Sequence, residues 1–196
     1  MEPVETLPTT IVENGLLNGR VRLRQPARGY RAGMDAALLA AAVPAEAGQS
    51  VIEAGCGAGA VLMQIAARQP GVTLTGVERD PAMAALATEN AALNGAALSA
   101  VIRQGDVAAG FRALGVEPAD WAISNPPFFD DATALRAPAE SKRGAWMADD
   151  GLKAWTDFLL KAVKEGGRIM VVHRADRLAD LLALLGEKAG SFAVRP

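Results

Sequence analysis

Cysteine, histidine and aromatic residues are scarce in this chain of 196 residues: one Cys, one His, one Tyr, three Trp and five Phe. A lone Cys56 cannot form an intramolecular disulfide, and with His173 as its only imidazole neighbour in composition, an all-protein zinc cage is excluded. This cysteine usage fits a reducing, cytoplasmic setting. A net excess of positive charge is also missing. Twenty Lys and Arg face 22 Asp and Glu, giving −2, so no global field draws the chain to nucleic acid or to an anionic membrane, and any polyanion site must be local. Long apolar runs are missing too. The most apolar stretches, 36–43 and 178–185, fall far short of the ~18–20 residues that span a bilayer. Residues 1–10 carry Glu2 and Glu5 and lack the basic and apolar regions of a signal peptide.

What is present is an apolar content of 51% with 21% charged residues, the profile of one domain with its own core. Loose alternation over 9–24 around Asn18-Gly19, a dipeptide suited to positive φ, predicts an N-terminal β-hairpin, so that 1–33 reads as an extension of a main body at 34–196. Arg20, Arg22, Arg24, Arg28 and Arg31 follow within twelve residues that contain no acid. This local charge of +5 leaves −7 elsewhere, and guanidinium groups pair bidentately with phosphate. The alternative is a solvated hairpin face.

An Ala- and Leu-rich helix is expected over 34–43, closed by Pro44. Strands are then expected at 50–53, 73–77, 99–104, 121–124 and 168–173, with helices at 58–69, 81–94, 152–164 and 177–185 between and after them. Such alternation is the pattern of an α/β fold, a doubly wound and mostly parallel sheet with helices on both faces.

Three strand ends carry acids. The first runs into Val51-Ile52-Glu53-Ala54-Gly55-Cys56-Gly57-Ala58-Gly59-Ala60, a glycine turn opening a helix, where backbone can approach a ligand closely. Glu78 ends the next strand, 19 residues after Gly59, the place from which a carboxylate reaches a ribose diol. Asp106 follows the third, where an acid can accept from an adenine amine or simply cap a turn. The turn also satisfies the dinucleotide pattern, so an NAD(P)-dependent oxidoreductase is a rival. Charge separates the two: Glu53 suits an ammonium and repels a pyrophosphate.

The fourth strand runs into Asn125-Pro126-Pro127-Phe128-Phe129. Two prolines remove two N–H donors and leave the Asn125 side chain and the neighbouring carbonyls as acceptors for an sp² amine, while Phe128 offers a stacking face. A rigid proline turn with core phenylalanines is the alternative. A second basic group, Arg136, Lys142 and Arg143, lies in the segment that follows, flanked by Asp130-Asp131 and Asp149-Asp150. Trp155 stands in an apolar-periodic helix, which makes it a core residue, and Trp146 is a candidate for base stacking. His173 reads as structural, and Cys56 as a small packing residue in the turn.

Taken together, Glu-Ala-Gly-Cys-Gly-Ala-Gly at 53–59, Glu78, Asp106 and Asn-Pro-Pro-Phe at 125–128 resemble the successive motifs of the class I S-adenosylmethionine-dependent methyltransferases, in the amino-methylating branch. The match covers about residues 30–185. With the upstream Gly-Tyr-Arg-Ala-Gly-Met-Asp-Ala-Ala-Leu-Leu at 29–39, the chain looks most like the subgroup that methylates an adenosine amine in valine tRNA. The resemblance implies a Rossmann-like sheet and S-adenosylmethionine as cofactor. It places Gly55, Gly57 and Gly59 at the methionine moiety with Glu53 near its ammonium, Glu78 on the ribose, Asp106 on the adenine, and Asn125, Pro126, Pro127 and Phe128 at the target amine. It implies a tRNA substrate, no metal and no membrane, and leaves the oligomeric state open. Related enzymes acting on guanine amines or on protein glutamine share the proline loop, and a non-catalytic RNA-binding protein is a further alternative. The family sheet has seven strands. Five are expected here after the hairpin, so the C-terminal strand pair is missing, through truncation or as a natural short form, which would leave the fifth strand's edge uncovered.

Overall fold

The computed structural model describes residues 10–28, 31–126, 151–186 and 188–195. The hairpin forms as expected: β1 (Ile11–Leu16) pairs antiparallel with β2 (Val21–Pro26), and the Arg20 N–H closes the turn on the Leu17 carbonyl. Asn18 and Gly19 take φ of 55° and 82°, the positive pair that makes an Asn-Gly turn match strand twist. Val21 and Leu23 on the inner face of β2 are fully buried in the main core.

After α1 (Met34–Ala42) come β3 (Ser50–Ala54), α2 (Ala60–Arg68), β4 (Thr73–Glu78), α3 (Pro81–Leu93), β5 (Ala100–Gln104), two short 3₁₀ turns, and β6 (Ala119–Ser124). Beyond the proline loop the chain continues with α4 (Gly151–Ala162), β7 (Val163–Val171) and α5 (Leu178–Leu185). The sheet is parallel with order β5-β4-β3-β6-β7, the expected doubly wound arrangement, and β5 and β7 form its edges among the described residues. Ile52, Leu74, Val77 and Ile123 are buried to 1% exposure or less, as in a sheet covered on both faces. No helix among the described residues is long and apolar enough to cross a membrane.

One element departs from expectation. The helix ends at Ala162, and β7 starts at Val163 rather than Arg168, because the chain bulges between the pairs Ala119–Val163 and Trp121–Arg168. Gly166, at φ 72°, permits the bulge, and Lys164 within it pairs with Asp120 at 3.0 Å. The strand stops at Val171, so His173 lies just outside it, its Nδ1 accepting the Arg174 N–H.

The hairpin is held to the body by an unusual device. Asn90, in the last turn of α3, and Asn94, four residues on at its C-cap, face Arg24 and Arg22, two residues apart on β2, and the two spacings agree to within about 1 Å. Asn94 Oδ1 accepts the Arg22 N–H at 2.9 Å, and its amide donates to the Arg22 carbonyl at 2.7 Å. Asn90 repeats the pattern on Arg24 at 2.8 Å in both directions. Two side-chain amides thus stand in for a third strand and satisfy the outer edge of β2.

Candidate active site

The strand order reverses between β3 and β6, and open α/β sheets bind ligands in the crevice at the carboxyl ends of the strands where such a reversal occurs. Here β3 delivers Glu53 and the glycine turn, and β6 delivers Asn125. A hydrogen bond from Ser124 Oγ to the Ala54 carbonyl, 3.0 Å, ties the two strand ends together. Between them lies a cavity whose lining contains Glu53, Gly55, Ala58 and Asn125.

The turn itself is held in a conformation that favours glycine. Gly55, Gly57 and Gly59 have φ of 68°, 54° and 82°. Gly55 has a second reason: a Cβ there would lie 2.4 Å from the Trp155 ring, which closes over the turn from α4. Trp155 packs partly buried against the core around Phe158, as its helical position suggested. Cys56 is a buried packing residue, its Sγ filling space that a side chain at Gly76 would take. Burial, with Glu53 and Glu78 nearby, pushes its thiol well up, so it is no nucleophile at neutral pH.

The three acids differ in their surroundings. Glu53 is 2% exposed, and its Oε2 has no hydrogen-bond partner among the described residues. Desolvation, reinforced by the charge of Glu78, raises its carboxyl well above the usual range. Glu78 accepts the Gly57 N–H through one oxygen and the Asp80 N–H through the other, both at 2.8 Å. Burial still outweighs those bonds and lifts its pKa. Asp106 is more open. Its Oδ1 caps the following 3₁₀ turn by accepting the Ala108 N–H at 2.9 Å, and Oδ2 lies 3.4 Å from Arg79. The structure therefore gathers Glu53, Gly55 and Asn125 in one cavity, joins Glu78 to the turn through Gly57, and sets Asp106 beyond them at the end of β5.

Pro126 is buried beside Asn125; Pro127, Phe128, Arg136, Lys142, Arg143 and Trp146 lie outside the described residues. The arginine stripe is less exposed as charge than its sequence suggests. Arg22 and Arg24 share Glu13, at 2.8 and 3.3 Å, because the hairpin register sets Glu13 opposite Arg24. Those guanidinium groups hold the Glu13 carboxyl below its ordinary range. Arg20 donates to the Ala67 carbonyl and Arg31 to Asn14 Oδ1, while Arg28 is exposed. No group of three or more His, Cys, Asp or Glu suited to a metal occurs among the described residues.

Two cavity residues escaped the sequence reading. Gln25, 3% exposed, continues the inward alternation of Val21 and Leu23, and that period of two was the available signal. It accepts the Ala32 N–H and donates to Asn14. Met83 enters from the first turn of α3, which Asp80 caps by accepting the Ala82 and Met83 N–H groups.

The methyltransferase small domain family matches residues 31–140. A tRNA1(Val) (adenine(37)-N6)-methyltransferase from Yersinia enterocolitica is 39% identical over 168 residues, 84% of this chain and 62% of that protein. A protein of the same name from Yersinia pestis is 37% identical over 110 residues, 56% of this chain and 44% of its own length. The chain thus spans between two fifths and two thirds of the length of these curated relatives. Among solved structures, a predicted O-methyltransferase from Agrobacterium tumefaciens aligns with a TM-score of 0.61 at 25% identity, over 78% of this chain and 67% of that one. A S-adenosylmethionine-dependent methyltransferase from Thiobacillus denitrificans, in complex with S-adenosyl-L-homocysteine, aligns at 0.51 and 25%, over 71% and 48%.

Proposed function

The chain belongs to the methyltransferase small domain family, and from that premise we propose that it transfers a methyl group from S-adenosylmethionine to an exocyclic adenine amine in tRNA. The observation that carries the cofactor half is Glu53: a buried carboxyl with an oxygen unpartnered among the described residues, set in a cavity beside a glycine turn. A buried acid of this kind is stabilised by a cation and repels a pyrophosphate, which favours an ammonium-bearing ligand over a dinucleotide. The residues present fit the group. Glu53 would face the ammonium, the turn at Gly55, Gly57 and Gly59 gives close backbone approach, and Glu78 and Asp106 remain the acceptors for ribose and adenine.

When bound, the cofactor supplies an electrophilic sulfonium methyl. Asn125 and the proline-loop carbonyls orient the target nitrogen by accepting from its N–H groups, with Phe128 as the stacking face. Catalysis is then chiefly positioning, and no strong base is required before attack. The tRNA half of the reading is supported by the names of the relatives and by the arginines of the hairpin, although Glu13 offsets part of their charge. Arg136, Lys142 and Arg143 would add phosphate contacts. The setting of such a reaction is the cytoplasm.

The test is incubation with methyl-labelled cofactor and, separately, total tRNA, total rRNA and protein extract, followed by mapping of the product. Label on an adenine amine of tRNA is expected. Label on guanine or glutamine replaces the substrate, and binding of NAD in place of the cofactor overturns the reading.

A further inference from the structure

Asn90 differs from its neighbour in the α3 ladder by one bond. Besides its two bonds to Arg24, its Nδ2 donates to the carbonyl of Ala58 at 2.9 Å, whereas the remaining bond of Asn94 stays within α3, to the Asn90 carbonyl at 2.8 Å. Asn90 is completely buried. Both of its amide hydrogens and its oxygen are used, so the group has one geometry that satisfies all three. Ala58 sits between Gly57 and Gly59, and Gln25 follows Arg24; both Ala58 and Gln25 line the cavity. A single side chain thus connects two walls of the site that are 34 residues apart in sequence, the glycine turn and strand β2 of the hairpin.

Resting on the cofactor reading above, we propose that Asn90 is a positioning residue that couples the two walls, so that a ligand seated on the glycine turn also orders the arginine-bearing strand β2. The physical basis is that both segments need an external tie. The turn has positive-φ glycines at 55, 57 and 59, whose backbone is the most conformationally free of any residue and gains most from a bond that fixes it. The hairpin, as a two-stranded unit, is marginal alone and is fastened to the body by Val21 and Leu23 in the core and, along its outer edge, by its bonds to α3. Energy that fixes Ala58 therefore fixes the Asn90 amide, and through it the Arg24 peptide. Linkage makes the effect reciprocal: a polyanion that orders β2 tightens the cofactor. Asn94 holds the same strand with the same geometry but does not touch the turn, which makes it the internal control.

The experiment is hydrogen exchange over residues 21–26, with and without S-adenosylhomocysteine, together with calorimetric affinity for that compound, in the wild type, Asn90→Ala and Asn94→Ala. In the wild type the ligand should slow exchange across β2. In Asn90→Ala affinity should fall about tenfold and the ligand-dependent protection of β2 should vanish, on the scale of one lost buried hydrogen bond. In Asn94→Ala the melting temperature should fall to a similar degree while affinity stays within about twofold and protection persists. Identical behaviour of the two variants overturns the proposal, since both would then be acting through stability alone. So does wild-type protein that binds the ligand without protecting β2, a result that stands even if Asn90→Ala does not fold; Asn90→Ser, which keeps a donor, should then recover part of the coupling. Wild-type protein that does not bind S-adenosylhomocysteine overturns the cofactor reading itself, and with it this one.

Discussion

The two ends of the sheet hold carboxylates in opposite circumstances. At the amino ends of β3 and β6, Asp120 accepts from the Ser50 N–H at 2.8 Å and hydroxyl at 2.7 Å and pairs with Lys164 at 3.0 Å. The Ser50 hydroxyl bond, then the Ser50 N–H bond and Lys164, hold its pKa down at about 2, from 3.8. At the carboxyl ends of β3 and β4, desolvation raises both the buried Glu53 and the half-buried Glu78, the charge of Glu78 raises Glu53 further, and Glu53 keeps an oxygen without a partner among the described residues. One end uses an acid to fasten three strands. The other tolerates acids whose burial opposes folding, an arrangement that the proposed ammonium-bearing ligand accounts for.

Changes at the carboxyl edge should therefore strike function and those at the amino edge stability. The largest effect is expected for Asn125→Ala, with methyl transfer reduced at least ~10²-fold in single turnover while S-adenosylhomocysteine affinity stays within a few-fold. Full activity would remove the proline loop from the chemistry. Next, Gly55→Ala combines φ of 68° with a Cβ 2.4 Å from Trp155. Urea unfolding should show a loss of about 2–4 kcal/mol, and Trp155→Leu in the same chain should return part of it.

Asp120→Ala should lower stability by about 1–2 kcal/mol, a figure reduced for the partial exposure of the site, without changing cofactor affinity. The pH dependence has a defined sign. A carboxyl depressed in the folded state stabilises above its unfolded pKa, so the Asp120 contribution is complete above pH ~4 and is lost as pH falls toward 2. Glu53 and Glu78, raised in the folded state, act the other way: their contribution is present in acid and is lost as pH rises through the folded values. Glu53→Gln should accordingly raise stability at neutral pH, by about 1 kcal/mol or ~3 °C in thermal melting.

Most of what positions this site is local and was legible in the residues. The strands β3, β4 and β6 are short, mostly apolar runs that end at or run into Glu53, Glu78 and Asn125, and the glycine turn announces itself because positive φ at alternate positions leaves little choice of residue. What could not be read is made of pairings between distant segments. Glu13 offsetting part of the charge of Arg22 and Arg24 follows from the hairpin register, which the Asn18-Gly19 turn sets, yet a window of twelve residues sees only five arginines. The Asn90 and Asn94 ladder was visible only as polar residues spaced by four in an alanine-rich helix, and its meaning depends on a strand some 70 residues upstream. The β7 bulge rests on Gly166 and on Lys164 finding Asp120, a contact across 44 residues.

The most direct test of the central claim is to titrate S-adenosylhomocysteine into the wild type and into Glu53→Gln across the acid to neutral range. If the ammonium of the ligand faces Glu53 as proposed, it stabilises the ionised carboxyl, so wild-type affinity should strengthen as pH rises and Glu53 loses its proton, and Glu53→Gln should bind at least tenfold more weakly at neutral pH, with the Glu53-dependent part of the pH response gone. Equal affinity in the two proteins, or heat from NAD and none from S-adenosylhomocysteine, would contradict it.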